Sequence, residues 1–184
     1  MKKYYFSITM PLYNKGQYVT RALDSIFSQT FDDYELVIVD DQSSDGSLGV
    51  IERYFLKNGG VPENVKIITQ PHGGVGAARN NGVAHSSGQH LVFLDADDWW
   101  LKDYLEEMYG LTVRWPEAKL FGTGYYVRKD GEEKVAPIAV DASFKEGLAV
   151  YHEPYYKSPE LLCMPLTANS YCITRDAFGD CALN

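Results

Sequence analysis

The chain has 184 residues, of which 45% are apolar, 14% aromatic and 23% charged, values that fit one ordinary globular core and exclude a disordered or collagen-like protein. Its net charge of −8 excludes the basic face used by phosphate-backbone binders, so no nucleic-acid partner is expected, and a phosphorylated ligand would need a metal ion or a few placed cations. No apolar run reaches the roughly 18 to 20 residues of a membrane span and no signal-peptide pattern opens the chain, so a cytoplasmic protein without a transmembrane segment is expected, with peripheral contact at the inner membrane face left open.

Residues 4–9 alternate and are rich in aromatic and β-branched side chains, which predicts a first strand stopped by Pro11. After the loop Met10-Pro11-Leu12-Tyr13-Asn14-Lys15-Gly16, the positions Val19, Ala22, Leu23, Ile26 and Phe27 form one helical stripe. Residues 35–39 predict a second strand that runs into Asp40-Asp41-Gln42-Ser43-Ser44-Asp45-Gly46. Ser44 or Asp45 can cap the next helix, which carries Leu48, Ile51 and Phe55 and is closed by Asn58-Gly59-Gly60. A third strand is predicted at 65–69, followed by a glycine-rich loop opening a helix of small residues, Gly73 to Gly82. The fourth strand is the apolar run 91–94, and the helix after it is predicted to carry Leu101, Leu105 and Met108 on one face. Strands alternating with helices predict an α/β fold: a Rossmann-like, doubly wound, mostly parallel sheet.

From residue 119 the pattern shifts to short strand-like pieces at 120–127 and 135–140 around a hairpin-like 128–132. A long proline-containing loop follows over 141–168, then a strand at 170–174 and a helix start at 175–178. Cys163, Cys172 and Cys181 are odd in number and lack metal-ligand spacing, so they are expected to be reduced, structural thiols.

The chemistry concentrates where apolar strands end in acids. In an open α/β sheet, ligands bind outside the carboxyl ends of the strands, where Asp95, Asp97 and Asp98 emerge. Three crowded carboxylates are tolerable if solvated, if they cap a helix at Trp99-Trp100-Leu101, or if a hard divalent cation sits among them. The run Asp40 to Asp45 is equally readable as a turn with a helix cap. Gly74-Val75-Gly76-Ala77-Ala78-Arg79 is an imperfect dinucleotide fingerprint, because Arg79 replaces the last glycine and the motif follows the third strand instead of the first.

Taken in order, Met10-Pro11-Leu12-Tyr13-Asn14, Ser28-Gln29-Thr30, Val39 to Gly46, Gly76-Ala77-Ala78-Arg79-Asn80-Asn81-Gly82 and Phe93-Leu94-Asp95-Ala96-Asp97-Asp98 resemble the inverting nucleotide-sugar glycosyltransferases of the GT-A fold, family 2, which build bacterial polysaccharides and glycans. The resemblance implies a single nucleotide-sugar-binding domain over 1–184, with a nucleotide-binding half at 1–118 and the start of an acceptor-side half at 119–184. It implies that Pro11 and Tyr13 flank the nucleoside and that Asp41 accepts a hydrogen bond from the base, which favours uridine because uracil offers an N–H. Arg79 would approach the diphosphate. Asp95 and Asp97 would be the DxD pair, with Asp97 a ligand of Mn²⁺ or Mg²⁺ and Asp95 bonding the ribose or sharing the metal shell. The implied partners are a UDP-sugar donor and a saccharide or other hydroxyl acceptor.

The family's catalytic base follows the strand and helix expected at 170–178, and no Glu-Asp pair follows Asp180, so the fold is expected to be incomplete at the carboxyl end, with the base beyond Asn184. His72, His85, His90 and His152, with Glu153 and Glu160, are expected to be surface or capping groups. Two other classes stay open at this point: a non-catalytic nucleotide-sugar-binding module, and a nicotinamide-dependent oxidoreductase suggested by the glycine run.

Overall fold

The computed structural model describes residues 3–129, 132–135 and 168–179. Four strands, β1 (Phe6–Leu12), β2 (Tyr34–Asp40), β3 (Val65–Thr69) and β4 (His90–Phe93), are mutually parallel, and β8 (Tyr171–Thr174) and β5 (Leu120–Gly122) extend them in the order β3-β2-β1-β4-β8-β5. β8 is antiparallel to both of its neighbours. Two further strands, β6 (Tyr126–Lys129) and β7 (Glu132–Val135), pair separately as an antiparallel ribbon. The sheet is therefore mostly parallel, as the sequence predicts. The single strand expected at 120–127 divides between β5 and β6, which lie in different sheets. The predicted strand at 135–140 is described only to Val135, and the loop at 141–168, with His152, Glu153, Glu160 and Cys163, lies almost wholly outside the described residues, as does Cys181.

Alternation along the strands assigns side chains to two faces. Phe6, Ile8, Met10 and Leu12 of β1, Leu36 and Ile38 of β2, and Val92 and Leu94 at β4 pack into the larger core with α1 (Val19–Phe27), α2 (Ser47–Lys57) and α4 (Tyr104–Arg114). Val37 and Val39 meet Ala78 of α3 (Gly74–Ala84), and Leu91 and Phe93 meet Phe178 of α5 (Arg175–Gly179), on the other face. Helices cover both sides, which is why β2 and β4 read as unbroken apolar runs.

The first strand runs through Pro11 instead of stopping there. Pro11 stays in register opposite Val39 of β2. The carbonyl of Thr9 points toward β4, where it accepts from Leu94 N–H at 3.1 Å, so by alternation the missing N–H of Pro11 falls on that same side, past the end of β4. No ladder bond is lost there. The cap of α2 also differs from expectation: Gly46, at φ 84°, holds the cap position, and Asp45 Oδ1 accepts the N–H of Ser47 at 2.9 Å. The closing Asn58-Gly59-Gly60 behaves as predicted, with φ of 94° and 105° at the glycines and Gly60 N–H donating to Phe55 O at 2.8 Å.

α3 owes its position to small side chains. A Cβ on Gly82 would lie 2.2 Å from Thr9 Cγ2, so the helix backbone sits directly on β1. Thr9 is fully buried, and its β-branched side chain is stiff about χ1. Gly82→Ala is expected to lose about 1–3 kcal/mol of stability by overpacking, read as a lower urea midpoint with an unchanged slope. An unchanged midpoint would show that α3 can move off the sheet at no cost.

Candidate functional site

β1, β2 and β4 end at one edge of the sheet. From β1 the chain crosses to β2 on one side and returns to β4 on the other, and such a switch point is where open α/β sheets bind ligands. A cleft of about 320 Å³ opens there, lined among others by Pro11, Tyr13, Lys15, Asp41, Asp95 and Asp97. Five of the sequence-predicted site residues thus converge, and the sixth, Arg79, stands behind Asp95.

Asp41 is 2% exposed and its carboxylate is fully engaged. Oδ1 accepts from Gln70 Nε2 at 2.7 Å and from Gly73 N–H at 2.9 Å. Oδ2 accepts from Gly74 N–H at 2.8 Å and lies 2.8 Å from His72 Nδ1. Burial alone would raise its pKa, but the bonds from Gly73, Gln70 and Gly74, together with His72, outweigh burial and hold it below the usual carboxylate range. Beside it, the Tyr13 ring is 45% exposed and stacks on His72 with centroids 4.3 Å apart. The loop is braced by Asn14, at φ 53°, whose Oδ1 accepts from Ser44 N–H at 2.8 Å, and by Gln42, at φ 62°, whose Oε1 accepts from His72 N–H at 3.1 Å.

The acids after β4 are not a helix cap. α4 begins at Tyr104, with Asp103 at its cap position, and Leu101, expected on its buried face, is 59% exposed. Residues 95–103 instead form an irregular loop held by distant partners. Arg21 donates to the Asp97 carbonyl at 2.6 Å and lies 4.0 Å over the Trp99 ring. Gln29 donates to Leu101 O at 2.7 Å and accepts from Leu105 N–H at 2.9 Å. Asn169, just before β8, accepts from Asp95 N–H at 2.6 Å, donates to the Asp98 carboxylate, and offers its carbonyl to Trp100 Nε1 at 2.7 Å.

Each carboxylate of the cluster has its own partner. Arg79 donates to Asp95 Oδ1 at 2.6 Å and Lys15 Nζ to Asp97 Oδ2 at 2.6 Å. The bond to Asp97 raises the Lys15 pKa. Asp98 is pushed up by burial and then by the charges of Asp97 and Asp95, and its carboxylate is engaged by Asn169. Asn169, Lys15 and His72 were not singled out as site residues by the sequence. Lys15 lies in the loop after β1 and His72 just before the glycine-rich run, but only the fold reveals what they touch.

Among the described residues no three acidic, histidine or cysteine side chains converge as a complete metal cage. Asp95 and Asp97, at 31% and 38% side-chain exposure, nevertheless fit an ion of the Mg²⁺ or Mn²⁺ kind, which takes one or two carboxylates and completes its shell with phosphate and water. The half-exposed Lys15–Asp97 pair is worth at most about 1 kcal/mol, so a divalent ion can replace the ammonium.

The model for glycosyl transferase family 2 matches residues 7–171. The chain belongs to glycosyl transferase family 2. This family 2 chain is 35% identical over 126 residues to the glycosyltransferase GlyA of Streptococcus pneumoniae, covering 68% of the chain and 17% of GlyA. It is 39% identical over 97 residues to the poly(ribitol-phosphate) β-glucosyltransferase of Bacillus spizizenii, covering 50% of the chain and 15% of that protein. Among solved structures, TarS of S. aureus in complex with UDP superposes with a TM-score of 0.55 at 29% identity, over 62% of the chain and 33% of TarS. A mannosyltransferase of Pyrobaculum calidifontis, solved with GDP-Man and Mn²⁺, shares the fold with a TM-score of 0.57 at 23% identity. The chain spans well under half the length of each of these proteins.

Membership in family 2 sets aside the oxidoreductase reading, and the local geometry explains the false signal. The glycine loop follows the edge strand β3, and its Gly73 and Gly74 N–H groups are bonded to Asp41. No helix among the described residues is long and apolar enough to cross a membrane.

Proposed function

We propose that this chain forms the donor side of an inverting glycosyltransferase, binding a UDP-sugar with Mn²⁺ or Mg²⁺ and passing the sugar to an acceptor hydroxyl in the assembly of a polysaccharide or teichoic-acid-type polymer. One observation carries the reading. At a single cleft on the strand ends, an exposed tyrosine ring and a carboxylate that reads N–H donors lie on one flank, and two partly exposed carboxylates with paired cations lie on the other. Support comes from TarS, solved with UDP and with UDP-GlcNAc, and from relatives named as a minor teichoic acid biosynthesis protein and a poly(ribitol-phosphate) β-glucosyltransferase.

In this reading Tyr13 and Pro11 take the faces of the nucleoside, and Asp41 selects a base with an imide N–H. Asp97 and Asp95 would hold the divalent ion, which when bound stabilises the charge left on the departing diphosphate. Lys15 and Arg79, released from their aspartates, offer cations to the phosphate oxygens on an otherwise acidic protein. The acceptor oxygen bonds to the anomeric carbon on the face opposite the diphosphate as the sugar–phosphate bond breaks. Its proton needs a base. Asp176 is not that base, because α5 follows Thr174, which pairs with His90 at the far end of β4, and Asp176 is bound to Lys119 at 2.5 Å.

Isothermal titration calorimetry tests the reading. In Mn²⁺, UDP is expected to bind one to one and ADP at least about tenfold more weakly, since adenine presents a ring nitrogen acceptor to Asp41 where uracil presents a donor. NAD⁺ should give no saturable heat. Tighter binding of ADP or NAD⁺ than of UDP would sink the proposal.

A further inference from the structure

We propose that His72 is a built-in surrogate for the nucleobase, occupying the base site of the ligand-free chain and rotating out when the nucleotide arrives. The proposal rests on the donor-site reading above and names the residue that sets its threshold. His72 makes the two contacts that a uracil would make there. Its ring lies on Tyr13 with centroids 4.3 Å apart and 27° between planes, and its Nδ1 lies 2.8 Å from Asp41 Oδ2. An aromatic plane on the tyrosine and a ring nitrogen against the carboxylate form the recognition pattern of an imide-bearing base.

The two rings cannot both keep their places around a base. Seating a flat ring between Tyr13 and His72 needs two stacking separations, roughly 7 Å in all, whereas the centroids stand 4.3 Å apart. The carboxylate already accepts from Gln70, Gly73 and Gly74, and the His72 Nδ1, itself 3.3 Å from the Asp41 carbonyl, stands 2.8 Å from Oδ2 on the side that remains. One of these four neighbours must move before a base N–H can enter. Gly73 and Gly74 donate from the backbone, and Gln70 is fixed at both ends, since its Oε1 accepts from Asn81 Nδ2 at 2.7 Å. The His72 side chain is 50% exposed, and its own backbone N–H is tied to Gln42 at 3.1 Å. The imidazole can therefore swing into water about its side-chain torsions while the loop stays in place.

A site that must first expel its own occupant binds more weakly by the fraction of time it stands open. The surrogate also prepares the site. It keeps Tyr13 and the Asp41 carboxylate in the geometry the base needs, and it admits only ligands that replace both of its contacts. Bases lacking the N–H would leave Asp41 short of a donor, so His72 reinforces discrimination without touching the bound nucleotide.

Two measurements on the full chain test this. In NMR spectra of the wild type, the His72 ring protons should be displaced by the Tyr13 ring current without ligand. They should relax toward solvent-exposed values as UDP is added with diamagnetic Mg²⁺, following the calorimetric saturation curve measured in Mg²⁺. In calorimetry, His72→Ala should bind UDP about three- to tenfold more tightly than wild type, with less of its preference over ADP. Weaker UDP binding by His72→Ala would overturn the proposal by making His72 a direct ligand contact. UDP binding that leaves the His72 resonances unmoved would overturn it by placing the base on another surface. If neither wild type nor variant binds UDP, the donor-site reading falls, and that result is distinct from the other two.

Discussion

Asp97→Asn is expected to weaken UDP binding at least about tenfold in saturating Mn²⁺, and to leave it within about threefold of wild type, or slightly tighter, in EDTA. The sign of the split is the informative part. Asp97 is an anion on an acidic protein, so removing its charge should by Coulomb's law alone help a diphosphate under every condition. It should also free Lys15, now bonded to Asp97 at 2.6 Å, to reach phosphate oxygens. A loss that appears only with Mn²⁺ therefore requires Asp97 to hold the ion. The size follows from metal-site behaviour: changes even in outer partners cost about 10- to 100-fold in metal affinity, and a direct ligand should cost no less. Equal strengthening in Mn²⁺ and in EDTA would leave Asp97 as no more than the partner of Lys15.

The same cluster shows what a sequence can reveal and what it cannot. The strand 91–94 was legible because both faces of β4 are buried, so the apolar run is unbroken and its abrupt end at Asp95 marks the sheet edge. The loop after it was not legible. The 3.6-residue spacing of Leu101, Leu105 and Met108 is real, yet the helix starts only at Tyr104, because Arg21, Gln29 and Asn169 hold the preceding residues. Those partners lie 76, 72 and 69 positions away in the chain, beyond any local window. Pro11 misled for a similar reason, since its tolerance in β1 depends on where the neighbouring β4 ends. The reversed direction of β8 was likewise invisible, being set by its pairing with β4 and β5 and by no pattern of its own. At the cleft, the acids at the end of an apolar strand pointed to Asp95 and Asp97 and the family resemblance pointed to Tyr13 and Asp41, whereas Lys15 and His72 became interpretable only once their distances to Asp97 and Asp41 were known.

Asp41→Ala is expected to cost the ligand-free chain about 3–5 kcal/mol, a large part of the stability of a domain this size. The substitution leaves the N–H groups of Gly73 and Gly74 and the amide of Gln70 without their buried acceptor, and each such orphan costs about 1–3 kcal/mol before relaxation. The half-exposed His72 adds little, because water can take its place. The effect should depend on pH with a definite sign. The folded-state pKa of Asp41 is lowered, so its contribution is complete above the ordinary carboxylate value near 4 and is lost as pH falls through the lower folded value. The stability gap between wild type and Asp41→Ala should therefore be constant from about pH 6 to 8 and narrow from about pH 5 downward. Glu35, whose pKa is lowered by bonds from Ser87, Ser7 and Lys66 that outweigh its burial, is present in both proteins and cancels in the difference. Chemical denaturation across this range measures the gap. A gap below about 1 kcal/mol at pH 7 would mean that the Gly73-Gly74 turn holds without its acceptor, so any loss of UDP affinity in Asp41→Ala would report the base contact alone. A large gap means the opposite: the carboxylate proposed to read the base also builds the loop presenting it, and the two roles separate only in ligand-free stability measurements.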